Sequence, residues 1–93
     1  MGLLQRLRQN VIDRAYYLSS HAEDEMLEDA LERPDIENAI LKGKIQRRLT
    51  RDPRGPRYRI EGPTLDGRLI HVVCRFAKGS LLLVTAYAIG EER

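Results

Sequence analysis

Ninety-three residues, 42% hydrophobic and 32% charged, are enough chain for one domain with a single modest core. No apolar run approaches the roughly 18 residues of a membrane span, and charges interrupt the leucines of MGLLQRLRQN where a secretion signal is continuously apolar. The single cysteine, Cys74, excludes an internal disulfide, so the expected location is the reducing bacterial cytoplasm.

The net charge of +2 conceals a segregation. Residues 1–41 carry four basic and nine acidic side chains, whereas residues 42–78 carry eleven basic and three acidic. A positive block of that density favours a polyanionic partner, unless the acidic helices merely neutralise the strands beside them.

Leu3, Leu4, Leu7, Val11, Ile12 and Ala15 recur at helical spacing and predict a first helix over 3–15. Tyr16 to Ser19 reads as a short extended link or strand. Ser20 with Glu23 has the form of a capping box and predicts a helix over 21–32, with Ala22, Met26, Leu27, Ala30 and Leu31 on its apolar face. Pro34, Asp35, Glu37 and a stop at Gly43 predict a third helix over 34–42, burying Ile36, Ala39, Ile40 and Leu41. Beyond Gly43 the period changes to 2. Strands are expected at 44–51, 57–62, 68–76 and 80–89, separated by the turn-rich DPRGP, PTLDG and AKG. Connections this short imply an antiparallel meander. The expected architecture is therefore α+β, with N-terminal helices packed on one face of a four-stranded antiparallel sheet. Residues 1–93 form a single domain, in which 1–16 are a helical extension of a core at 17–89.

Strand parity separates Ile70, Val72, Cys74 and Phe76 from Leu69, His71, Val73 and Arg75. It likewise separates Leu82, Val84, Ala86 and Ala88 from Leu81, Leu83, Thr85, Tyr87 and Ile89. The purely apolar sets belong beneath the helices. A three-residue AKG loop brings His71, Arg75, Thr85 and Tyr87 onto the open face, with Arg57 and Arg59 beside them; a two-residue loop would force Lys78 to positive φ. A histidine, a phenol, a hydroxyl and several guanidiniums are the groups that metal-free RNA cleavage uses. A base takes the 2′-hydroxyl proton, cations stabilise the phosphoryl oxygens, and an acid protonates the leaving 5′-oxygen. With the ribose as nucleophile, no metal or cofactor is needed.

His21 opens the second helix, where Glu25 and Asp29 at i+4 and i+8 share its side and can orient it. The plain alternative is a partly exposed residue that ties helix to sheet. His71 has its own plain alternative as a satisfied strand histidine, Tyr87 as edge packing, Thr85 as a ladder residue and Cys74 as a small buried hydrophobe. A zinc site from His21, His71 and Cys74 lacks a fourth ligand and close spacing. The sequence holds no Walker loop, dinucleotide fingerprint or GxSxG elbow.

Five motifs stand in order: S-x-H-A-x-x-E-M at Ser19 to Met26, D-I-E-x-A-I-x-x-G at Asp35 to Gly43, Y-x-I-x-G at Tyr58 to Gly62, D-G-R-x-I-H-V-V-C at Asp66 to Cys74, and V-T-A-Y at Val84 to Tyr87. Together they resemble a family of small bacterial proteins with a domain of unknown function. That family is related to the RelE/ParE-like toxins of type II toxin–antitoxin systems and is often encoded beside an antitoxin with a zinc-finger segment. The resemblance spans about residues 17–89. It implies a RelE/ParE-like layout and metal-free RNA cleavage by basic, histidine or tyrosine side chains on the open sheet face. By motif position it implies catalytic roles for His21, Glu25, His71, Thr85 and Tyr87; Arg57, Arg59 and Arg75 are phosphate ligands by face and charge instead. Lys44 stands where relatives commonly have an acid after the glycine, and the lysine-rich signature of ribosome-dependent members is missing. The expected function is an RNA endonuclease in which one histidine is the base and the other, or Tyr87, the acid. Its expected partners are RNA and a cognate antitoxin of zinc-finger or DNA-binding type, not a membrane, with homodimerisation left open. The rival expectation is a non-catalytic module that docks protein or RNA on the same face.

Overall fold

The computed structural model describes residues 2–90. In chain order these form α1 (Leu3–Ile12), β1 (Tyr16–Leu18), α2 (Ser20–Glu28), α3 (Arg33–Lys42), β2 (Lys44–Leu49), β3 (Arg57–Pro63), β4 (Leu69–Ala77) and β5 (Ser80–Ala88). The sheet corrects the four-stranded antiparallel expectation. It has five strands in the order β1-β5-β4-β3-β2, and β1 runs parallel to β5, with Tyr16, Tyr17 and Leu18 opposite Leu81, Leu82 and Leu83. Three residues are too few for a period-2 signal, and their partner lies at the other end of the chain. Strands β2 to β5 do form the expected meander.

Two helices end sooner than their apolar spacing suggests. In α1, Arg14 takes φ 57°, its N–H bonds Val11 O, and Ala15 N–H bonds Asn10 O. In α2, Ala30 takes φ 55°, its N–H bonds Leu27 O, and Leu31 N–H bonds Met26 O. Both are Schellman endings built without glycine. The Arg68 guanidinium adds bonds to Asp29 O and Ala30 O, placing a cation at the negative end of α2. The α2 cap is Ser19 rather than Ser20: Ser19 Oγ accepts Ala22 N–H at 3.0 Å. A capping box does form, but on α3, between Glu32 and Asp35.

The core lies between the helices and one face of the sheet. Leu7, Val11, Ala22, Met26, Ile36, Ala39 and Ile40 meet Ile60, Ile70, Val72, Cys74, Leu81, Leu83 and Ala86, all buried. Helix α1 is therefore part of this core, and Arg8 secures it by donating to Ile40 O and Gly43 O.

The β4–β5 hairpin corrects the expected three-residue loop. Ala77 pairs with Ser80, and the two turn residues Lys78 and Gly79 have φ 53° and 81°, as a type I′ turn requires. Cys74 thus faces Leu83, and Arg75 faces Leu82. The register then shifts by one, so that Val73 faces Thr85 and His71 faces Tyr87, with Val84 as the extra residue of a β-bulge. Leu81 and Leu83 consequently join the core, while Leu82 lies on the opposite face.

Helix α3 crosses β3 at backbone contact. A Cβ on Gly62 would stand 2.2 Å from Ala39 O, and one on Gly43 would stand 2.3 Å from Glu61 O. Gly62→Ala is expected to cost about 3 kcal/mol or more, by forcing α3 off the sheet. Urea denaturation checks this, and a loss below about 1 kcal/mol would contradict the close crossing.

Candidate functional site

The face away from the helices is organised in rows set by register. Lys44, Glu61, His71 and Tyr87 form one row across β2, β3, β4 and β5. Arg47, Arg59, Val73 and Thr85 form the next, about 6.6 Å along the strands. Leu49 and Arg57, then Arg75 and Leu82, continue the same register at the hairpin end. Of the residues expected at a site, His71, Thr85, Tyr87, Arg57, Arg59 and Arg75 thus share this face.

The first row is bonded throughout its centre. His71 Nε2 lies 3.1 Å from Glu61 Oε1, and Nδ1 lies 3.2 Å from the Tyr87 hydroxyl. The two rings meet edge to face, with centroids 5.5 Å apart. An ionised carboxylate can only accept, which puts the imidazole proton on Nε2 and leaves Nδ1 to accept the phenol O–H. Glu61 therefore fixes both the ring and its tautomer, and Nδ1 and the phenol are the groups that can exchange a proton. The His71 side chain is 13% exposed, so it is reachable from one side only. Thr85 is half-buried and lies between this row and the arginines.

His21 and Glu25 belong elsewhere. The His21 side chain is 66% exposed, and its Nε2 lies 3.4 Å from Glu25 Oε2. Glu25 Oε1 accepts Ala86 N–H at 3.0 Å, and one turn on, Asp29 Oδ2 accepts Ala88 N–H at 2.8 Å. Four helical residues rise about 6 Å and two strand residues about 6.6 Å, so two carboxylates at i and i+4 match two outward strand N–H groups. Helix α2 continues the β5 edge where β1 ends, helped by Ser19, whose N–H bonds Leu83 O and whose hydroxyl bonds Val84 O. His21 shares a cleft of about 310 Å³ with Arg54, Arg57, Arg75 and Leu82, at the hairpin end of the face and not beside His71.

The β2–β3 loop folds onto that end. Asp52, only 6% exposed, lies 3.0 Å from Arg57 Nε and 3.4 Å from Arg54 Nε. The Arg54 backbone N–H and then the Arg54 and Arg57 guanidiniums hold the Asp52 carboxyl below the usual carboxylate range. The depressed value means this pairing contributes above the ordinary aspartate pKa and is lost as pH falls through the folded one. Arg59 donates to Gln46 Oε1 at 2.8 Å, and Arg75 donates to Arg54 O at 3.3 Å. Cys74 lies on the other face. Burial pushes its thiol up to about 12, and it is separated by the sheet from His71, so it joins no site with the histidines.

Residues 18–88 match the family described as "Domain of unknown function (DUF4258)". The chain belongs to that family. No curated protein and no solved structure matches it. The DUF4258 segment contains all the site residues described above, and α1, which lies before it, still supplies Leu7 and Val11 to the core. Among the described residues no helix of this DUF4258 protein is long and apolar enough to cross a membrane.

Sequence reasoning missed Glu61 and the Asp52–Arg54 loop contacts. Glu61 was within reach, because β3 parity already groups it with Arg57 and Arg59; its bond to His71 depends on the β3–β4 register, which alternation does not fix. The loop contacts had no signal beyond the density of arginine.

Glu25→Ala and Asp29→Ala are each expected to destabilise by about 1–3 kcal/mol, since each strands a β5 N–H. His21→Ala should stay within about 0.5 kcal/mol. Urea midpoints check both, and the reverse ranking would contradict the edge-capping role. The Cys74 thiol should resist a disulfide reagent at pH 8 in the native protein and react fully in guanidinium chloride. Rapid native labelling would contradict its burial.

Proposed function

We propose that this DUF4258 domain is a toxin-like, metal-independent RNA endonuclease of a type II toxin–antitoxin pair. The observation that carries the reading is the bonded Glu61–His71–Tyr87 row on a helix-free face, with Arg59 in the adjoining row and Arg57 and Arg75 beyond it. The ribose 2′-hydroxyl takes the place of the phenol at His71 Nδ1 and gives its proton there as the 2′-oxygen–phosphorus bond forms. The released Tyr87 hydroxyl protonates the 5′-oxygen as the phosphorus–oxygen bond breaks. Arg59, one row away, stabilises the charge gathered on the phosphoryl oxygens, and Glu61 stabilises the imidazolium. The proton then returns from Nδ1 to the phenolate across the 3.2 Å contact, restoring the starting state. His21 and Glu25 serve the fold and the edge of the cleft rather than this proton transfer.

RNA substrate and a cytoplasmic site of action go with this reading, as does a cognate antitoxin of zinc-finger or DNA-binding type that covers the same face. One observation favours the rival, a non-catalytic RNA- or protein-binding face: both nitrogens of His71 already have partners.

Purified protein in EDTA should cut single-stranded RNA to 2′,3′-cyclic phosphate ends. Tyr87→Phe and His71→Ala should each slow cleavage by about 10²–10⁴-fold while leaving the denaturation midpoint nearly unchanged for Tyr87→Phe. RNA that stays intact at high protein concentration, or cleavage indifferent to Tyr87→Phe, would leave only the binding reading.

A further inference from the structure

The densest charge in the molecule lies beyond the bonded row. A concavity of about 550 Å³ at the β2–β3 hairpin is lined by Arg47, Arg48, Arg51, Arg54 and Arg57, against one acid, Asp52. The hollow shares Asp52, Arg54 and Arg57 with the cleft that reaches Arg75 and His21, so the two adjoin around the loop. Asp52 is consumed in building it, bonded to the Arg54 N–H and paired with two guanidiniums. Arg47, Arg48 and Arg51 are exposed, and among the described residues their side chains make no hydrogen bond or ion pair. Arg57 Nε is held 3.0 Å from Asp52, which fixes that guanidinium at the wall of the hollow.

We infer that this arginine bay is a binding site for the phosphate backbone of single-stranded RNA, away from the scissile bond. Five guanidiniums around one structural carboxylate leave an excess of positive charge that the fold does not use, and planar guanidinium forks suit phosphate oxygens. Arg57 and Glu61 are four residues apart on β3, about 13 Å along the strand at about 3.3 Å per residue, so a strand held in the bay reaches the His71 row only across more than one nucleotide. The path turns from a flat sheet face around a hairpin. A single strand can follow it, whereas a stiff duplex cannot. The inference rests on the reading of RNA as the ligand of this face, but not on cleavage.

The test uses the full chain and a fluorescent 12-nucleotide 2′-O-methyl RNA, which lacks the nucleophile and stays intact. Binding is followed by anisotropy over a range of salt. The double variant Arg48→Ala/Arg51→Ala should bind more weakly, and its slope of log K against log salt should be shallower by about 1.4, at about 0.7 per phosphate contact on a single strand. Tyr87→Phe should leave that slope unchanged. An unaltered slope in the double variant overturns the bay. So does tighter binding of the same sequence as a duplex, or of polyglutamate at matched charge, which would assign the hollow to a duplex or an acidic protein. Wild-type protein that binds with this slope but never cuts unmodified RNA keeps the bay and removes the endonuclease; cutting with an unaltered slope does the reverse.

Discussion

One extra residue in β5 decides what this sheet presents to solvent. The type I′ turn at Lys78–Gly79, carried to the end of the hairpin without interruption, would set Tyr87 opposite Ile70 and send the phenol under the helices. The bulge at Val84 shifts the pairing by one and sets Tyr87 opposite His71. The same shift lets two different apolar sets serve one core, Leu81 and Leu83 before it and Ala86 after it. It also turns the Ala86 and Ala88 N–H groups outward, where Glu25 and Asp29 accept them. Site, core and strand edge all depend on the bulge.

The chemistry then divides by charge. Acidic side chains of α2 are consumed as substitutes for a missing strand partner, which protects an edge that would otherwise invite another chain. Basic side chains collect at the opposite margin, on β2, β3 and their loop, where Asp52 pairs with Arg54 and Arg57. The separation visible in the linear sequence is therefore a separation in space. Between the two margins lies the carboxylate–imidazole–phenol row, backed on the helix side by buried Ile60, Ile70, Val72 and Ala86. A rigid sheet is a better platform for such a row than a loop, because neighbouring strands fix every rotamer base.

Much of this is legible in the residues, and the failures have particular causes. The β4 alternation places His71, Val73 and Arg75 away from the helices, and the structure agrees. For β5 the alternation is misleading, because Leu81 to Val84 is apolar at every position and hides where parity changes. The shared face of His71, Thr85 and Tyr87 is reached, although through a loop one residue longer than the real one. Helix ends at Arg14 and Ala30 carry no glycine to mark them, so periodicity runs past both. The extended reading of Tyr16 to Ser19 matches β1, but its parallel pairing with β5 leaves no mark in three residues. Glu25 reads as a partner for His21, which it is, but its second oxygen belongs to a backbone N–H that only the folded edge reveals.

The most direct measurement is an NOE spectrum of the protein with its His71 and Tyr87 rings assigned. Cross-peaks are expected between the two rings, whose centroids are 5.5 Å apart, and none from Tyr87 to the methyls of Ile36 or Met26. Contacts from the Tyr87 ring to those helix methyls, with none to His71, would mean that β5 pairs without its bulge and that the open face carries no such row.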